Sequence, residues 1–87
     1  MVFNQIQIND RVFEAEGQLR IKEDDQVKVI FEDLMLGNTL REMYSKGEEV
    51  VYLVLRNSEE TRYETKNVSV GHITIDGTHY HATFKQV

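Results

Sequence analysis

All three histidines of the chain, His72, His79 and His81, lie close together near its end. Three imidazoles from one side of a hairpin could take three corners of a tetrahedral metal site, leaving the fourth for water or a carboxylate. Hydrolytic zinc chemistry uses such an open position. The same face could instead hold an anionic ligand, or serve as a pH-sensitive contact, since paired imidazoles repel once protonated near pH ~6.5. A wet surface of polar β-forming residues is the plainer alternative, because Thr74, Thr83 and Lys85 share these positions.

Whether the imidazoles meet depends on the backbone that carries them. Asp76-Gly77 separates two alternating runs, 68–75 and 78–84, and an Asp-Gly pair so flanked is the strongest short-range hairpin signal. A type I′ turn centred on Asp76 and Gly77 sets Ile73 opposite Tyr80 and Gly71 opposite Ala82, on an apolar face shared with Ile75 and Phe84. The other face then pairs Val70 with Thr83, His72 with His81, and Thr74 with His79. In this register His72 and His81 are direct neighbours with Cβ atoms about 5 Å apart, and His79 is diagonal to His72 within ~8 Å.

Other catalytic signatures are missing. The chain has no cysteine nucleophile, Gly-rich phosphate loop, His-Glu-x-x-His or Gly-x-Ser-x-Gly pattern. The acids of Glu23-Asp24-Asp25 lack the spacing of an EF-hand loop and read as a solvated turn. No cofactor is expected, with zinc or another divalent metal on His72, His79 and His81 as the alternative.

The elements that position these residues follow from hydrophobic periodicity. Residues 4–9 alternate, with Ile6 and Ile8 on one side. From Phe13 to Ile21 the odd positions are apolar or small and the even ones polar, which predicts a long antiparallel strand with one wet face. Val27, Val29 and Phe31 face inward on a third strand, while Ile30 breaks its polar side. Thr39-Leu-Arg-Glu42 matches a capping box, predicting a short helix over about 39–46 with Leu36, Leu40, Met43 and Tyr44 as its apolar stripe and Gly47 at its end. Residues 50–55 are apolar at both parities and predict a central strand covered on both sides. Residues 61–65 alternate with charges, as an edge strand does. The expected fold is α+β and β-rich: a mainly antiparallel meander of six or seven strands, curled into a roll or partly open barrel, with one helix after the third strand.

At 87 residues the chain is read as one domain, residues 1–87. Fifteen acidic against ten basic side chains give a net charge of −5, which disfavours direct binding to nucleic acid. An acidic mimic of nucleic acid is also disfavoured, because the charge is dilute. No segment approaches the ~18 apolar residues of a membrane span. The start lacks a signal-peptide pattern and cysteine is absent, so a cytoplasmic setting is expected. Ile30, Val68 and Val70 are apolar at positions that alternation assigns to the outer face, marking a candidate interaction surface. These features suggest a small non-catalytic binding or assembly module, of the kind found among bacterial and phage accessory proteins. It would act on a protein partner or by self-association.

Overall fold

A computed structural model describes all residues, Met1–Val87. The strands are β1 (Val2–Phe3), β2 (Gln5–Ile8), β3 (Arg11–Phe13), β4 (Gly17–Ile21), β5 (Val27–Phe31), β6 (Glu49–Asn57), β7 (Glu60–Asp76) and β8 (His79–Gln86), with one helix, α1 (Leu34–Lys46), between β5 and β6. All pair antiparallel in a single sheet of order β1-β4-β5-β8-β7-β6-β2-β3. The sheet is open, since β1 and β3 end it without pairing to each other. The strand count exceeds the expected six or seven because β1 precedes the first expected run and residues 14–16 split the second, while β7 fuses the expected edge strand 61–65 with the first arm of the hairpin and lies inside the sheet between β8 and β6. Asn4 divides β1 from β2, and residues 14–16 divide β3 from β4.

The break at Asn4 lets one short segment serve distant parts of the sheet. Val2 and Phe3 pair with Gln18 and Gly17, whereas Gln5 to Ile8 pair with β6 between Arg56 and Leu53. Asn4 still donates its amide to the Arg56 carbonyl at 2.9 Å, and its Oδ1 accepts from Ser58 N at 3.1 Å. The sheet is therefore curled, with its apolar side turned inward.

That inner side carries the alternate residues the sequence predicts. Phe3, Ile6, Leu19, Val29, Phe31, Leu53, Leu55, Ala82 and Phe84 are all buried. Residues 50–55 are only partly the doubly covered strand expected. Val50, Leu53 and Leu55 join the main core, Val54 is buried outside it, and Val51 is 58% exposed. Val54 pairs with Gln7 and Glu64, so polar side chains cover it from neighbouring strands.

The helix starts at Leu34, earlier than the expected 39, because Asp33 is its cap. The Asp33 Oδ1 accepts from Leu36 N at 2.8 Å, satisfying an otherwise orphaned donor of the first turn. Thr39 lies inside the helix and caps nothing. The predicted end holds: Gly47 is left-handed at φ 66°, and Lys46 in the last turn bonds Glu42 at 2.7 Å. Leu36, Gly37, Leu40 and Met43 are buried, while Tyr44, expected in the stripe, is 48% exposed. A 13-residue helix is marginal alone, so burying this face must supply its stability, roughly 1.5–3 kcal/mol for each large apolar side chain.

Gly37 brings the helix down onto Tyr80. A Cβ at residue 37 would stand 2.4 Å from the Tyr80 ring, which stacks on Phe31 with centroids 5.3 Å apart. Gly37→Ala is accordingly expected to destabilise the protein by about 1–3 kcal/mol in urea denaturation, although alanine is the better helix former by ~1 kcal/mol. Asp33→Ala should cost about 1 kcal/mol through the lost cap, and Thr39→Ala should cost nothing measurable. An equal loss at Thr39 would refute the assignment of the helix start.

Candidate interaction surface

The terminal hairpin keeps the predicted separation of faces but shifts its register. Asp76 pairs with His79, so Gly77 and Thr78 form the turn, in place of Asp76 and Gly77. Only Gly77 of the two has positive φ, at 64°, which fits a turn with glycine at its first central position. Such a turn spares Asp76 a left-handed backbone. Ile75 consequently faces Tyr80, and Ile73 faces Ala82. Tyr80 is buried, whereas His72 and His79 are exposed and His81 is half-buried on the opposite side.

The shift separates the imidazoles. His72 pairs with Thr83, His81 with Thr74, and His79 with Asp76. His81 is thus only diagonal to His72, about 7–8 Å away, and His79 lies two residues further along the strand. No group of three or more His, Asp or Glu side chains is arranged to hold a metal ion. His79 Nε2 instead meets Glu32 Oε1 at 3.3 Å, and Thr78 Oγ1 donates to the same oxygen at 2.9 Å.

A second correction concerns Val68 and Val70. The ladder shifts between Val70 and His72, so that Val70 pairs with Phe84 and Val68 with Gln86. This irregularity at Gly71 reverses the facing of the residues before it. Val68 and Val70 are 1% and 6% exposed and belong to the core, not to an outer surface. Ile30 remains on the outer side, half-buried, opposite Gln18 and His81.

Ile30 sits in an ordered set of outer-face residues. Along β5 the outward positions read Lys28, Ile30, then Glu32 just past the strand. Pairing places Arg20 beside Lys28 on one flank and Thr83 on the other, with Lys85 two residues further along β8. At the opposite end a groove of about 590 Å³ opens beside Ile30. It is lined by Val2 and Ile30 together with Asn4, Glu16, Gln18, Glu32, Asn57 and His79, and contains no lysine or arginine.

The charges at the two ends are largely unpaired. The ion pairs of the protein are Lys46 with Glu42, Arg62 with Glu60, and His79 with Glu32. Arg20, Lys22, Lys28, Lys85 and Glu16 therefore stand free. Arg20 directly opposite Lys28 is a like-charge cross-strand pair, a mildly unfavourable arrangement within the fold. The hydrogen bond between Lys46 and Glu42 lowers the Glu42 pKa and raises that of Lys46, and the hydrogen bond to Glu64 raises the pKa of the Tyr52 hydroxyl.

The sequence reading missed Glu16, Gln18, Arg20, Lys28 and Glu32 as a group. Each is an ordinary outward residue of an alternating strand, and only the adjacency of β4, β5 and β8 assembles them. Comparisons with protein families, with characterised proteins and with solved structures find no match for this chain. No helix is long and apolar enough to cross a membrane.

The separation of the imidazoles has a direct test. Equimolar zinc should leave the NMR signals of His72, His79 and His81 unperturbed; concerted shifts of all three would show that the hairpin turns at Asp76-Gly77 in solution, with His72 opposite His81.

Proposed function

We propose that this protein is a small non-catalytic binding or assembly module that acts through protein–protein contacts in the cytoplasm, using the outer face of β4, β5 and β8. The observation that carries this reading is the groove beside Ile30. Strand alternation calls for a polar side chain at that position, and a half-buried isoleucine instead lines the groove with the exposed Val2, Gln18 standing between them in the ladder. Amides and carboxylates stand among these apolar residues, a combination suited to a protein segment with its own polar edge. The groove is not enclosed, so it would leave part of a small ligand in water, unlike sites that bury roughly 70–90% of a drug-sized molecule.

A catalytic role has less support. The His79 and Glu32 side chains are 55% and 61% exposed. An acid–base pair so wet lacks the burial by which enzymes tune such groups. Metal or anion binding by the three histidines, the alternative reading, has less support, because the register sets His72 diagonal to His81 and not opposite it.

A photo-reactive amino acid tests the surface. Placed at Gln18, in the middle of the face, it should form protein adducts in extracts of the producing cells, while the same group at Arg41 on the exposed side of α1 should not. Absence of any adduct at position 18, to this chain or another, would end the proposal.

A further inference from the structure

We infer that the partner for this outer face is a second copy of the chain, docked face to face about a two-fold axis that crosses β5 at Ile30. This rests on the reading of the face as a protein-binding surface and adds the identity of the occupant.

The argument is one of charge complementarity. The face is cationic at one end, with Arg20, Lys28 and Lys85 free of ion pairs, and anionic at the other, with Glu16 and Glu32 in a groove that holds no lysine or arginine and only His79 beside Glu32. Ile30, Gln18 and His81 lie between the ends, in register across three adjacent strands. Lys28 and Glu32 are equidistant from Ile30, each two residues away, or about 7 Å along the strand. A two-fold axis lying in the contact plane and perpendicular to β5 reverses the strand direction of the second copy. Lys28 then stands over Glu32 of the other copy, Arg20 over its Glu16, and the two Ile30 side chains meet at the axis. An axis parallel to β5 would set Lys28 on Lys28, so the charge pattern selects one arrangement.

Such an interface is isologous, each contact occurring twice. It also gives the opposed Arg20 and Lys28 the anions that their own chain withholds. The acids of Glu23–Asp25 lie beyond the cationic end, in the connection between β4 and β5, and make no ion pair with it. Three or four strands are a small contact, at the low end of specific interfaces, so the dimer is weak and sensitive to salt.

Sedimentation of the purified chain at low ionic strength should show an average mass rising from 10.2 kDa toward twice that value as concentration approaches millimolar. About 1 M NaCl, with a Debye length of ~3 Å, should return it to monomer. Lys28→Glu and Glu32→Lys should each be monomeric alone, because each places two like-charge contacts in its own dimer. Mixed in equal amounts they should recover association as a heterodimer, since every charge contact is again opposite in sign. Arg20→Glu with Glu16→Lys provides a second pair that leaves the Thr78 and His79 contacts of Glu32 intact, and circular dichroism checks that all four variants fold. A wild-type chain that stays monomeric at millimolar concentration, or single variants whose mixture gains nothing, would overturn the inference. If the adducts at Gln18 then join other proteins only, the second copy is wrong and the binding surface stands; if no adducts form at all, the surface itself is wrong.

Discussion

Tyr80 lies where the helix meets the sheet, its ring flat on Phe31 and pressed against the bare Cα of Gly37. The sheet is apolar on one side only, and that side must be kept from water by something other than a second sheet. Curling brings strands from both ends of the sheet toward one another, and α1 covers the remainder with Leu36, Leu40 and Met43. Any residue larger than glycine at position 37 would lift the helix from the ring. Because one side of the sheet is committed to this contact, the other side is left mainly to charged and polar residues with a few apolar ones such as Ile30 and Val2, and their pattern is free to serve recognition.

The sequence made some of this arrangement legible and concealed the rest for physical reasons. Alternation identified the inward residues of β4, β5 and β8, since a period of two fixes facing without any knowledge of partners. Gly47 and Lys46 marked the helix end because a left-handed residue and a last-turn cation are both local signals. The helix start was masked by two competing caps: Thr39 and Glu42 fit a capping box, but Asp33 captures the Leu36 amide and adds a further turn. At the hairpin, parity survived while register did not. An Asp-Gly pair fits more than one tight turn, and the one adopted spares Asp76 a left-handed backbone. The displacement of Val68 and Val70 into the core depends on an irregularity at Gly71 that alternation cannot reveal.

The outer face shows how topology creates a surface that no stretch of sequence contains. Lys28, Ile30 and Glu32 are consecutive outward residues of one strand, yet the polarity of the face emerges only when β4 and β8 align their own charges in the same sense. Antiparallel pairing accomplishes this because Arg20 and Glu16 run in the opposite order along the chain and are inverted in space. Within the monomer the arrangement brings like charges together, at a small energetic cost that contacts within the fold do not relieve.

The segment on either side of Asn4 carries a consequence for how the chain acquires its shape. Phe3, Ile6 and Ile8 are synthesised well before the β6 residues that β2 pairs with, Leu53 to Arg56, which lie far along the chain beyond β5 and α1. Until then three large apolar side chains have no permanent shelter. Ladders between elements so far apart in the chain are slow to form. The β2 segment is thus the stretch most exposed to mispairing, and its late docking on β6 completes the sheet.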